Sequence, residues 1–183
     1  KVLEFTGDGV FRLPLDERAT LTNMAVEAGG FTGIIAADHL VIDTLAKTRG
    51  LSHEALRAMT VTSDVGAQYA HELELDLTAL VPMIARPGDP RNGHAVTALD
   101  AEVPIQIAYG GSCTGGKAHD MDLYAEVFRD ALAKGQRVAK GVQCFIQYGS
   151  QHIREYAESR GYDTIFRDVG ATVLAPSCGA CIN

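Results

Sequence analysis

Three cysteines carry the most chemistry in this sequence. Cys113 stands in the run Gly111-Ser112-Cys113-Thr114-Gly115-Gly116-Lys117, and Cys178 and Cys181 form a Cys-x-x-Cys pair within Pro176-Ser177-Cys178-Gly179-Ala180-Cys181. Such a pair can be a redox dithiol, half a zinc site or part of an iron–sulfur site. A redox dithiol sits at the start of a helix whose dipole lowers the thiol pKa, a context that the two residues after Cys181 do not reach. A zinc site with Cys113 as third ligand would want a fourth, and none of the six histidines has zinc-like spacing to either motif. One distant cysteine and one pair suit a cubane cluster better. Three thiolates would hold it and leave one iron without protein sulfur, open to act as a Lewis acid on a hydroxyl and a carboxylate.

Two other readings stand beside this one. Residues 111–117 nearly match the phosphate-binding loop Gly-x4-Gly-Lys-Ser/Thr, with an expected strand before and helix after. Ala118 takes the place of the hydroxyl that ligates magnesium, which removes a chemical function from a nucleotide-binding module. Alternatively the run is a tight glycine turn, the cysteines are free thiols, and the domain is non-catalytic. Cys144, inside the apolar stretch 142–147, reads as a packed thiol.

The elements that must position these residues follow from local patterning. Val2–Phe5 reads as a short strand and Gly7-Asp8-Gly9 as a turn. Asp16 to Ala28 reads as a helix capped by Asp16 and stopped by Gly29-Gly30, with Leu21, Met24 and Ala25 on its apolar face. Residues 33–37 form a buried strand, and Asp38 caps a helix running to about Lys47. Residues 72–77 alternate strictly, Leu73, Leu75 and Leu77 against Glu72, Glu74 and Asp76, which predicts a half-buried strand. Residues 86–94, with two prolines and two glycines, read as a linker.

Beyond it strand and helix alternate: strand 105–109, glycine loop 110–116, helix 119–133, strand 142–147, helix 150–159, short helix 164–169, strand 172–175. The pattern predicts an α/β protein of two small two- or three-layer units with mostly parallel sheets, spanning residues 1–90 and 95–183. Cys113 and Cys178 both follow predicted strands, which sets them on one carboxyl rim, where such sheets bind ligands.

Composition narrows the function classes. Of 183 residues 46 % are apolar, which excludes a disordered chain, and no apolar run approaches a membrane span. The net charge of −7 argues against nucleic-acid binding, which needs basic surface to replace phosphate counterions. The sequence opens at Lys1 without Met and stops just after a loaded motif, so we expect a piece of a longer chain.

Taken together, these motifs resemble the aconitase family. Tyr109-Gly110-Gly111-Ser112-Cys113-Thr114 resembles the family's I-G-S-C-T-N, and Cys178-Gly179-Ala180-Cys181 its C-G-x-C. Tyr148-Gly149-Ser150 sits where the family has Pro-Gly-Ser, and Gly161-Tyr162 with Phe166–Gly170 resembles the segment before its second cysteine motif. Thr22–Gly29 resembles its N-M-x-x-E-x-G helix; Asp38, Asp64 and Asp120 fit family acidic positions more loosely. The resemblance covers nearly the whole chain, and the cysteine motifs are specific in combination.

It implies reversible loss and gain of water on a hydroxy di- or tricarboxylic acid such as isopropylmalate, homocitrate or citrate. It implies a 4Fe–4S cluster held by Cys113, Cys178 and Cys181, with Asn23 and Glu27 beside it as catalytic residues and Ser112 and Ser150 as substrate donors. Asn23 and Glu27, four apart on the expected helix, would share a face; a solvated polar face is the alternative account, since exposed Asn and Glu on helices are ordinary. A small subunit supplying a swivelling domain is the implied partner, and the cytoplasm or mitochondrial matrix the implied compartment. The family's remaining active-site domains have no counterpart here, so this piece alone should be inactive. Gly115 in place of the family Asn, Lys117 in place of Arg, and Gln147-Tyr148 before Gly149 set the sequence apart as a divergent branch.

Overall fold

A computed structural model describes residues 1–182, with Cys181 and Ile182 described by their backbone alone. The chain forms two compact units, 1–100 and 101–183. Both mix helices with short sheets, two parallel and one an antiparallel hairpin, an α/β architecture. Among the described residues no helix is long and apolar enough to cross a membrane.

In the first unit, β1 (Val2–Glu4) leads through α1 (Asp8–Phe11) and α2 (Leu15–Asn23) to β2 (Thr32–Ile34). β2 pairs parallel with β1, Leu3 opposite Gly33. Gly33 is small because α2 lies against it: a Cβ there would stand 2.8 Å from the Cα of Thr22. α3 (His39–Arg49) starts where Asp38 accepts the Val41 N–H, ends at Gly50 in the left-handed region, and carries Lys47 and Arg49 in its last turn. Each device satisfies end groups or opposes the helix dipole. α4 (His53–Met59) is capped by Ser52. β3 (Met83–Ala85) and β4 (Gly93–Ala95) close the unit as the antiparallel hairpin.

Several sequence expectations change here. The helix expected to Ala28 stops at Asn23 and begins after Pro14, so Asp16 lies in its first turn and does not cap it. Pro at the helix entrance has a preset φ and no N–H to leave unsatisfied. The alternating segment 72–77 is no strand: residues 72–76 lack regular structure, and Leu73 is 92 % exposed. Alternation only says which face a sheet would bury, and among the described residues no strand pairs with it. The Pro/Gly stretch is the turn of the β3–β4 hairpin, with Arg86 N–H bonded to the Asn92 carbonyl at 2.9 Å; turn chemistry and linker chemistry use the same residues.

The second unit carries the larger core. β5 (Ile107–Gly111), a single turn α5 (Ser112–Gly115), α6 (Ala118–Ala133), β6 (Gln143–Gln147), α7 (Gln151–Ser159), α8 (Tyr162–Val169) and β7 (Thr172–Leu174) follow in order. All three strands are parallel, with β6 in the middle. Met121 and Ala125 of α6, Ile146 of β6, Ala157 of α7 and Phe166 of α8 share one buried cluster. Phe128 meets Phe166 edge to face at 5.8 Å, a favoured aromatic geometry. Ile146 turns toward this helix layer, so its neighbours Phe145 and Gln147 project to the opposite face.

Candidate functional site

The parallel sheet brings three strand ends to one rim: Gly111, Gln147 and Leu174. Beyond β5 the backbone turns sharply through Ser112, the one non-glycine among the described residues with positive φ, at 71°. That conformation costs a non-glycine residue ~1 kcal/mol or more. It aims Cys113 outward while Ser112 itself is fully buried. Beyond β7 the chain passes through Ala175–Cys178 into a 3-10 turn, Gly179–Ile182. Ser112 Oγ donates to the Cys178 carbonyl at 2.7 Å, tying the two cysteine loops together. The loops after β5 and β6 are stitched as well, Gly149 N–H to the Gly116 carbonyl at 2.8 Å. A Cβ on either glycine would stand 2.7 Å from the other loop's backbone.

Cys113 and Cys178 thereby meet. Burial alone would push the Cys113 thiol up. Hydrogen bonds from Thr114, Ser112 and the Cys178 side chain together outweigh burial and hold the thiol below its ordinary value. Thr114 Oγ1 and Ser112 Oγ lie 3.8 and 3.9 Å from the sulfur. A lowered thiol pKa favours the thiolate, the form that ligates metal. Cys144 behaves oppositely: it packs against the core, and burial pushes its thiol up.

The Cys181 side chain lies outside the described residues, and its backbone belongs to the same 3-10 turn that follows Cys178. Among the described residues no three His, Cys, Asp or Glu side chains gather as a metal site. Two thiols at one open rim, one biased toward thiolate, with a third cysteine on the adjoining turn, are nonetheless a donor set suited to iron and sulfur.

The glycine run does not behave as a phosphate loop. Lys117 Nζ folds back to donate to the Thr114 carbonyl and sits 3.3 Å from Asp120 Oδ2, its side chain only 12 % exposed. Asp120 accepts the Lys117 backbone N–H at 2.9 Å, capping α6. The lysine that would reach a phosphate is thus committed internally, and the carboxylate at position 120 has a structural partner.

Asn23 and Glu27 are both exposed and belong to the first unit. They do not share a helix as expected. α2 ends at Asn23, and Glu27 lies in the turns of residues 24–29, where Gly29 N–H bonds Val26 and Gly30 N–H bonds Ala25 as the chain unwinds toward β2. Asp64, in the same unit, is also exposed. Ser150 stands after β6, where its hydroxyl accepts the Ile153 N–H at 3.2 Å and caps α7. Ser112, expected to meet substrate, directs its hydroxyl to a protein carbonyl and is buried, so its geometry is that of a loop clamp.

Sequence marked Gln147 only as a departure from the family pattern and gave its side chain no role. Gln147, 3 % exposed, donates to the Ala175 carbonyl at 2.8 Å and to Ser177 Oγ at 2.6 Å, and accepts the Tyr109 hydroxyl. The available signal was an amide ending the apolar run Cys144-Phe145-Ile146 directly at a strand's carboxyl end.

A family model described as the aconitase family (aconitate hydratase) matches residues 1–183. The chain is 39 % identical to the 3-isopropylmalate dehydratase large subunit of Aliarcobacter butzleri, 40 % to that of Campylobacter hominis and 36 % to that of Nautilia profundicola. All of this chain aligns in each case, and it spans 42 % of the length of each relative. A specific glycine–cysteine loop, a paired-cysteine loop clamped to it, and a match over the entire sequence agree: this chain belongs to the aconitase family.

Proposed function

We propose that this chain is the cluster-bearing part of the large subunit of an iron–sulfur hydro-lyase that moves water on a hydroxy di- or tricarboxylic acid, with the isopropylmalate class first among candidates. The relatives' name, 3-isopropylmalate dehydratase large subunit, supports that choice over citrate or homocitrate. The observation that carries the reading is the meeting of Cys113 with Cys178 at one sheet rim through the Ser112 clamp. Cys113, Cys178 and Cys181 would hold the 4Fe–4S cluster. Bound there, it would supply a Lewis-acidic iron for the substrate's hydroxyl and carboxylate.

The chain's own residues would do the rest of its share. Ser112 fixes the spacing of two sulfur-bearing loops. Thr114 and Ser112 stabilise negative charge on the Cys113 sulfur. The exposed Glu27 carboxylate has the chemistry to exchange a proton with substrate or water, and the Asn23 amide to orient it. Ser150, already a helix cap, would present its remaining hydrogen-bonding capacity at the rim. Turnover would need the rest of the large subunit and a small subunit, so residues 1–183 alone would be inactive.

The test uses the full-length large subunit purified without oxygen together with its small subunit. About four irons per chain, broad absorption near 400 nm, isopropylmalate dehydration, and loss of colour in Cys113→Ser are the expected results. A colourless protein after anaerobic iron and sulfide reconstitution, or Cys113→Ser retaining full iron, would refute the assignment.

A further inference from the structure

We infer that Gln147 is a positioning residue for the second cysteine loop, a buried amide bracket that sets where Cys178 and the turn after it stand relative to Cys113. This rests on the cluster reading above and adds a residue to it.

Gln147 is the last residue of the central strand, opposite Gly111 on one side and Leu174 on the other. Its side chain projects away from the helix layer, toward the face on which Tyr109 stands two residues before Gly111. Both N–H groups and the oxygen of its amide are bonded. One N–H reaches the Ala175 carbonyl, where the chain leaves β7, and the other reaches Ser177 Oγ, beside Cys178. The amide oxygen accepts the Tyr109 hydroxyl, and the Ala175 carbonyl, which can only accept, fixes which end of the amide is which. Ser177 Oγ in turn accepts the Gly179 N–H at 3.0 Å, so the bracket continues into the Cys-x-x-Cys turn.

The loop is therefore held from two sides. Gln147 grips Ala175 and Ser177 from within the sheet, while Ser112 grips the Cys178 carbonyl from the first cysteine loop. Gly179 approaches the bracket so closely that a Cβ would overlap the Gln147 amide oxygen and the Tyr109 hydroxyl. A buried amide whose oxygen and both N–H groups are hydrogen-bonded specifies one geometry, because any shift leaves a polar atom unpaired. Groups that orient metal ligands typically govern metal retention by 10- to 100-fold.

The experiment compares wild type, Gln147→Glu, Gln147→Leu, Tyr109→Phe and Ser177→Ala in the full-length, anaerobically loaded protein. The half-time of iron release to a chelator is measured beside the thermal midpoint of the metal-free form and the reduction potential of the loaded form. Gln147→Glu keeps the shape, loses both donors and adds a charge. It is expected to release iron roughly tenfold faster and to shift the potential negative in the fraction that stays loaded, which a general loss of stability would not do. Ser177→Ala, in an exposed loop, is expected to speed release in the same direction and serves if the Gln147 variants do not fold. Tyr109→Phe keeps both amide donors and is expected to fall between.

Unchanged release and potential in Gln147→Glu, or in Ser177→Ala where the former does not fold, would overturn the bracket while leaving the cluster reading intact. A wild-type protein that binds no iron would overturn both.

Discussion

Ser112 and Cys178, 66 residues apart in sequence, are joined by one hydrogen bond from a side chain in a strained backbone conformation. The hydroxyl is buried, so its loss leaves the Cys178 carbonyl without that donor. Ser112→Ala should cost about 1–3 kcal/mol in urea unfolding of the full-length protein. Ser112→Gly loses the same bond but removes the strain of a side chain at positive φ, which offsets about 1 kcal/mol. Gly should therefore be the milder substitution, an inversion of the usual order in which Ala is better tolerated. If Ala is the milder, the strain at 112 is not stored in the native state.

Arg18 and Asp38 form the first unit's buried ion pair, at 2.9 Å. Arg18 also donates to the Leu13 and Phe11 carbonyls, while Asp38 caps α3. The Arg18 hydrogen bond holds the Asp38 carboxyl below its ordinary value, against the opposing effect of burial and with help from the Val41 N–H. A carboxyl depressed in the folded state adds stability above its unfolded pKa of about 3.9 and loses it as pH falls through the folded value. The acid limb of the stability curve should thus steepen below about pH 4. Asp38→Ala should flatten it while costing about 3 kcal/mol at neutral pH, because it strands a buried guanidinium. Urea midpoints from pH 3 to 7 check both; an unaltered acid limb in Asp38→Ala would remove the pair from the explanation.

Strand–helix alternation was legible because each local signal agreed with its surroundings. The apolar run 142–147 became the central strand, and Asp38 capped the helix that follows it, as its position before an apolar-periodic stretch required. The cysteine motifs were legible for another reason: both follow parallel strands, and strand direction alone sends them to one rim. The polar clamps were not. A serine at positive φ or a glutamine reaching 30 residues onward to Ser177 leaves no periodic trace, since the partner is chosen by tertiary packing. The same limit explains residues 72–77, where alternation was present but, among the described residues, no partner strand was. The helix expected to carry Asn23 and Glu27 together stops at Asn23, because the chain unwinds through successive turns toward Gly29-Gly30.

Two glycines of one loop should respond oppositely to substitution. Gly111 has φ 128°, and a Cβ there would lie 2.0 Å from the Gln147 carbonyl oxygen. Gly111→Ala must move the strand pair itself and should abolish soluble expression or cost about 4 kcal/mol or more, the diagnostic range for a forced core clash. At Gly115 the nearest atom to a new Cβ is the Tyr124 hydroxyl at 3.4 Å, an ordinary contact. Gly115→Asn, which restores the side chain common in the family, should stay within about 0.5 kcal/mol of the parent. Parallel expression and urea unfolding of both variants decide the matter; an unfolded Gly115→Asn would mean that the divergence at this position is imposed by packing.

Asp122 of α6 ties three helices at once. It accepts the Tyr156 hydroxyl of α7 at 2.9 and 3.0 Å and the Tyr162 hydroxyl of α8 at 2.8 Å, with Tyr162 nearly buried. Hydrogen bonds to a charged acceptor contribute about 1.5–3 kcal/mol each, so Asp122→Ala should be among the most damaging polar changes in the second unit. Asp122→Asn should cost less, because both phenols already reach Oδ1 and an amide oxygen can still accept them. The pair also sets an alkaline limit. Burial raises the Tyr156 hydroxyl above its ordinary value, and the Asp122 hydrogen bond and charge raise it further. A raised folded pKa gives stability that is complete below the unfolded value of about 10 and is lost as pH climbs through the folded one. Tyr156→Phe should therefore narrow the stability gap to wild type as pH rises past 10. Chemical unfolding from pH 8 to 11 measures the gap, and a gap that stays constant across that range would show that Tyr156 acts by packing alone.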